Sequence, residues 1–230
     1  MSRLVTLVLS VALLIGLVVA RPVPVRSDET VTLQFAGSRV AVVGDSYTTG
    51  SNEGGEGPRG WTTRAWQLLA QQGLPVRADV AAEGGAGYGT RGNRGSVFED
   101  LTARAVKADD NLVVFYGSRN DEKVDPSLYS IMVYGAFQLA RRTAPDARFL
   151  VIGPPWPTAD PPPAILRIRD SLRYQSGLAK AEFVDPIAER WFVDNPELIG
   201  HDGVHPTDAG HLYMADKIAP LIATQLTRRV

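Results

Sequence analysis

Arg39-Val40-Ala41-Val42-Val43-Gly44-Asp45-Ser46-Tyr47 joins a short apolar run to a sharp polar turn. An apolar run of this length, closed by a turn, has the pattern of a strand buried on both faces of a parallel sheet. Gly44 stands where a tight strand-to-helix turn wants glycine. Ser46 is thereby placed at the carboxyl end of a strand, where open parallel sheets bind their ligands. Taken alone, Gly-Asp-Ser also makes an ordinary turn with Asp45 as a helix cap.

Working outward, four more runs of the same kind follow at Val76–Ala81, Leu112–Tyr116, Arg148–Ile152 and Glu182–Val184. Between them lie segments of helical spacing at Trp61–Gln72, Val97–Lys107, Ser127–Arg142, Ala164–Leu178 and Thr207–Leu226. In the first of these, Trp61, Ala65, Leu68 and Leu69 share a side. Regular alternation of strand and helix predicts an α/β domain: a βαβ series with a parallel sheet covered by helices on both faces. The second strand runs into Gly84-Gly85-Ala86-Gly87-Tyr88-Gly89 and the third into Gly117-Ser118-Arg119-Asn120-Asp121. The strand-end rule gathers both turns beside Ser46. The fourth strand opens into a proline-rich loop, Gly153–Pro163, whose Trp156 either walls a substrate groove or packs inward.

All three histidines fall within His201-Asp-Gly-Val-His205-Pro-Thr-Asp-Ala-Gly-His211. Serine is a poor nucleophile near neutral pH unless an adjacent base removes its proton and a third group orients that base. Asp202, three residues before His205 on a turn, can reach the Nδ1 side of the ring and leave Nε2 facing a serine. A capping or core histidine is the other reading of His205. Thr207 has the place of a helix N-cap, with His211 inside the helix and packed or hydrogen-bonded near the site. His201, Asp202 and His205 could also ligate a metal, but Gly203 and Pro206 argue against one helix presenting both histidines, so no metal site is expected. For the oxyanion of a tetrahedral intermediate, the N–H groups of Ser46 and Gly85 and the side-chain amide of Asn120 are suitable donors. The G-x-S-x-G elbow of α/β-hydrolases is missing. Gly85-x-Gly87-x-Gly89 lacks dinucleotide-binding spacing, and no phosphate-loop lysine follows.

Composition narrows the field further. The chain has 230 residues, 44% of them hydrophobic, a formal net charge of -1 and no cysteine. The length suits one well-buried domain. The charge gives a nucleic-acid partner no support, and the absence of cysteine removes thiol nucleophiles and disulfides. Met1-Ser2-Arg3 followed by the apolar stretch Leu4–Ala20 predicts a signal peptide or membrane anchor over 1–20. A linker and entry segment over 21–37 and a catalytic domain over 38–230 follow. The expected location is extracytoplasmic, secreted or held at the cell membrane by the N-terminal segment.

Gly44-Asp45-Ser46, the glycine turn at Gly84–Gly87, Ser118-Arg119-Asn120-Asp121 and Asp202-Gly-Val-His205 resemble, in order and spacing, the first, second, third and fifth blocks of the SGNH hydrolases, or GDSL-type esterases. The resemblance covers roughly Ser38 to the C-terminus. It implies a three-layer α/β/α fold of flavodoxin-like type with a small, about five-stranded parallel sheet. It implies Ser46 as nucleophile, His205 as base and Asp202 as its orienter, with Ser46 N–H, Gly85 N–H and Asn120 as oxyanion donors and no metal or organic cofactor. Two departures stand out. Tyr47 replaces the common Leu, changing a pocket wall, and the third-block glycine sits one position early, at Gly117. An ester hydrolase is expected, acting on a small-molecule, lipid or acylated carbohydrate ester, with Tyr47, Tyr88, Trp156 and Trp61 as candidate substrate contacts. Acyl transfer to an envelope sugar and a catalytically silent binding domain are the alternatives. Monomer is the default state.

Overall fold

The computed structural model describes residues 37–228. The targeting segment expected over 1–20 and all but the last residue of the 21–37 linker lie outside the described residues. In chain order the elements are β1 (Ser38–Gly44), α1 (Ser46–Thr49), α2 (Trp61–Gln71), β2 (Val76–Ala82), α3 (Phe98–Ala105), β3 (Leu112–Tyr116), α4 (Pro126–Thr143), β4 (Arg148–Ile152), α5 (Pro163–Leu178), β5 (Glu182–Val184) and α6 (Asp208–Thr227). Helix starts follow local chemistry. Asp125 caps α4 by accepting the N–H groups of Ser127 and Leu128, with Pro126 in the first helical position. Thr207 Oγ1 caps α6 by accepting Gly210 N–H at 3.1 Å. Both placements satisfy donors that a helix N-terminus leaves open.

The five strands are all parallel in the order β2-β1-β3-β4-β5, the doubly wound arrangement of flavodoxin-like folds. Alternate residues of each strand feed opposite layers. Ala41, Val43, Val113, Phe115, Phe149 and Val151 pack with α3, α4 and α5. Val40, Val42, Leu112, Val114, Leu150 and Ile152 pack with α2 and α6. All of β3 is buried, which is why it reads as an unbroken apolar run. Each fully buried Val, Leu or Phe contributes roughly 1.5–3 kcal/mol relative to exposure.

Two consequences of this topology place the site. Chain order reverses direction at β1, which has β2 on one side and β3 on the other, so a crevice opens at its carboxyl end. The ends of the described chain lie at the other rim. Ser38 starts β1 and its N–H bonds Pro75 O just before β2, while Arg148, at the start of β4, donates to the carbonyls of Gln225 and Arg228 at the end of α6.

Candidate active site

Gly44 ends β1 where a side chain would collide with the following turn: a Cβ there would lie 2.2 Å from Thr48 Oγ1. Asp45 Oδ1 accepts Tyr47 N–H at 2.9 Å and so starts α1, which presents Ser46 as its first residue. From 159 positions further along the chain, His205 brings Nε2 to 3.0 Å from Ser46 Oγ. His205 Nδ1 is 2.5 Å from Asp202 Oδ2. The other carboxylate oxygen accepts Val204 N–H at 2.8 Å and His205 N–H at 2.9 Å. Burial acts to raise the Asp202 carboxyl, but the hydrogen bonds from the His205 side chain and these two N–H groups outweigh it and hold it below its ordinary value. A carboxylate at Nδ1 makes that nitrogen the proton carrier and leaves a lone pair on Nε2 toward the serine. Tyr47 ties the two turns together, its hydroxyl donating to Val204 O.

The oxyanion donors are arranged less simply than the sequence suggests. The N–H groups of Ser46 and Gly85 have no partner among the described residues. Gly85 adopts φ +77°, a left-handed conformation that glycine tolerates without strain. Asn120 is brought to the site, but its amide nitrogen donates to Ala86 O at 2.8 Å and to Asp45 Oδ2 at 3.2 Å. Burial pushes the Asp45 carboxyl up to about 7; the Tyr47 N–H acts against this and the neighbouring Asp121 adds to it. Asp121 accepts the N–H groups of Tyr88, Gly89 and Thr90 at 2.8–3.0 Å and thereby locks the glycine turn to the third-strand loop. The Gly117–Ser118 peptide is cis, and Ser118 Oγ accepts Asn120 N–H at 2.9 Å.

An open groove of about 570 Å³ runs past Ser46 and His205, walled by Thr49–Asn52 on one side and by Gly84, Gly85, Asn93 and Arg94 on the other. The aromatic residues expected to line it do not. Tyr47 is 1% exposed and packs edge-on against Tyr116 and Phe192. Tyr88 is 2% exposed among Phe98, Phe115, Tyr129 and Phe137, and Trp61 is fully buried. Trp156 is half-buried, with the Arg119 guanidinium 4.3 Å above its ring and its Nε1–H donating to Thr158. These rings belong to the core or to a loop contact because each side chain follows the inward face of its element, and residue type alone carries no mark of that face. The groove residues Ser51, Asn52, Asn93 and Arg94 were not singled out from the sequence. Glu83 holds the stretch that carries Arg94: buried, it accepts the N–H groups of Arg94 at 2.5 Å and Ser96 at 3.1 Å.

His211 is fully buried at the start of α6, and its Nδ1 accepts Trp61 N–H at 3.3 Å. Burial lowers its pKa to about 4. Together with Asp208, which accepts Gly55 N–H and pairs with Arg59, it fixes the loop that follows the serine turn. His201 stays outside the Ser46–His205–Asp202 chain, and its backbone N–H bonds Glu53.

With this geometry in place, comparison with known proteins is direct. Residues 42–212 match the GDSL-like lipase/acylhydrolase family, and the chain belongs to that family. It is 59% identical over 229 residues to the GDSL lipase Rv0518 of Mycobacterium tuberculosis, covering 98% of this chain and 99% of that protein. The fold is similar to that of TesA, with a TM-score of 0.64 and 20% identity over 82% of this chain and all of the other. It is also similar to the psychrotrophic esterase EstA from Pseudoalteromonas sp., with a TM-score of 0.65 and 14% identity over 83% of this chain and all of the other.

Proposed function

We propose that the chain is an exported serine ester hydrolase working through Ser46, His205 and Asp202. The observation that carries this is the continuous contact Asp202 Oδ2–His205 Nδ1 and His205 Nε2–Ser46 Oγ, at 2.5 and 3.0 Å. Membership of the acylhydrolase family and the lipase name of the 59% identical relative support an ester carbonyl as the target. Ser46 Oγ attacks that carbonyl while its proton passes to His205 Nε2, and the oxyanion is met by the N–H groups of Ser46 and Gly85. Collapse expels the alcohol, which takes the proton from His205. Water then repeats the sequence on the acyl-enzyme and releases the acid. Export rests on the basic head and apolar stretch of the first twenty residues. Because the groove is open beside Ser46, a sugar hydroxyl could take the place of water, which would make the same site a transferase.

The full chain should hydrolyse p-nitrophenyl acetate, Ser46→Ala should not, and rapid acid quenching should recover an acyl adduct on the peptide containing Ser46. Equal turnover by both proteins would remove Ser46 from the mechanism.

A further inference from the structure

We propose that the outer face of α4 and α5 is a docking surface for an anionic lipid bilayer. This inference does not depend on the ester-hydrolase reading.

Seven large hydrophobic side chains stand exposed among the described residues. Five of them, Leu128, Ile131, Tyr134, Tyr174 and Leu178, lie on α4 and α5 at 52–64% exposure. Single exposed hydrophobic residues are ordinary, but a cluster marks an interaction surface. Helical spacing makes this cluster continuous. Ile131 and Tyr134 are three residues apart and Tyr174 and Leu178 four apart, so each pair shares a helix face. The helices pack side by side, with Gln175 Nε2 donating to Ser130 Oγ at 2.7 Å. Tyr134 and Leu178 line one cleft between them. Leu128 extends the patch toward the start of α4.

Charge selects the occupant. The two helices carry five arginines against one acid, Asp170, in a chain whose net charge is -1. Arg169 pairs with Asp170 at 2.8 Å, and Arg173 pairs with Asp185. Arg141 is turned to the carbonyl oxygens of Pro145 and Ala147. Arg142 and Arg167 are exposed and form no ion pair among the described residues. Arg142 follows Ile131 by eleven residues and Arg167 precedes Leu178 by eleven. That spacing closes three helical turns, so each arginine stands on the stripe of its apolar partner. The patch therefore has aliphatic tips and tyrosine rings in the middle and a cation beyond them on either helix. Acidic side chains stand at its margins: Asp125 capping α4, Glu122 just before it and Glu99 beside Gly135. A bilayer surface matches this layout. Leucine and isoleucine enter the acyl boundary, tyrosines sit at the headgroup level and arginines meet lipid phosphates. A second copy would bring the same uncompensated arginines and no acid to meet them.

The test uses the full chain, whose lack of cysteine allows clean single-site labelling. Ile131→Cys, Leu178→Cys and, on the opposite layer, Leu212→Cys each carry an environment-sensitive fluorophore. The vesicles are pure phosphatidylcholine, or equal parts phosphatidylcholine and phosphatidylglycerol. The apolar N-terminal stretch can bind lipid by itself, so the surroundings of each probe are read and not total binding. Expected is a blue shift at positions 131 and 178 with the anionic vesicles, none at 212, and little with pure phosphatidylcholine. Arg142→Gln and Arg167→Gln should each lower the ratio of shifted to unshifted probe about fivefold, the equivalent of about 1 kcal/mol. Unmoved probes at 131 and 178, an equal shift at 212, or an equal response to uncharged vesicles would overturn the proposal. So would a shift without vesicles that rises with protein concentration, which would put a second copy on this face.

Discussion

The side-chain amide of Asn120 is held at 2.8 Å by the carbonyl oxygen of Ala86, with its second proton directed to Asp45 Oδ2. To reach an oxyanion the amide must give up one of these bonds, whereas the N–H groups of Ser46 and Gly85 have no partner among the described residues. Removing one oxyanion donor costs roughly 10²–10³ in kcat where the donor is fully aligned. Asn120→Ala is therefore expected at the low end, about 10²-fold in kcat with KM little changed. It should also lose about 1–3 kcal/mol of stability because buried Asp45 and Ala86 O each lose a donor. A normal kcat combined with lowered stability would make the amide structural only. Steady-state kinetics and urea unfolding on the same sample separate the two.

His205 and Asp202 should not be equivalent. On the proposed mechanism His205 takes the Ser46 proton, and among the described residues no other side chain bonds Ser46 Oγ. The Asp202 side chain is 37% exposed, so water can partly replace it at Nδ1. His205→Ala should reduce kcat on p-nitrophenyl acetate by several orders of magnitude, and Asp202→Ala by roughly tenfold or more less than that, as expected when the orienting member is the least costly to lose. Equal losses would mean that Asp202 does more than orient the ring.

Tyr47 joins nucleophile turn to base turn through its hydroxyl and Val204 O. Tyr47→Phe keeps the ring packing and removes that one bond. Stability should fall by about 1–2 kcal/mol and kcat should drop severalfold through looser placement of His205, with KM unchanged. A change in KM alone would return Tyr47 to the substrate wall.

The two buried titrating groups near the site pull stability in opposite directions with pH. His211 stays neutral in the fold down to about 4, whereas an unfolded histidine takes a proton near 6.5. Its contribution is complete above 6.5 and is lost as pH falls toward 4, a span of about 3 kcal/mol. Asp45, raised to about 7 from 3.8, behaves conversely: its contribution is complete at low pH and is lost as pH rises to 7. His211→Asn retains an acceptor for Trp61 N–H and removes the charge change. The stability of wild type relative to this variant should therefore shrink as pH falls from 6.5 to 4, and relative to Asp45→Asn it should grow over the same interval. Urea midpoints across this range give the sign directly, and parallel curves for wild type and His211→Asn would sink the assignment to His211.

Much of this architecture was written in residue periodicity. Leu112–Tyr116 and Arg148–Ile152 match the observed strands residue for residue, because strands buried on both faces leave a nearly uninterrupted apolar signature; Glu182–Val184 matches as well, although it is an edge strand in which only Val184 is buried. Helices α4 and α5 begin one residue earlier than spacing suggests, since Pro126 and Pro163 fit the first helical position and add no apolar mark. Ser46, Asp202 and His205 stood out because their chemistry needs short local motifs. Asn52, Asn93 and Arg94 did not. They meet only where the loop after α1 and the loop after β2, separated by α2 and β2, converge, and no spacing along the chain encodes that meeting. Tyr47 and Tyr88 misled for the reverse reason, since an aromatic ring beside a catalytic motif can as easily face the core.

Because Ser38 and the end of α6 lie together at the rim opposite the serine, the domain has a handle and a working end. A bead, a second protein or a tag joined at either end leaves the groove pointing outward. The closeness of the two ends also makes the molecule suited to circular permutation: a short peptide from residue 228 to residue 37 would close the ring, and a new opening at the exposed turn around Gly73 would leave every residue of the groove on its original strand end.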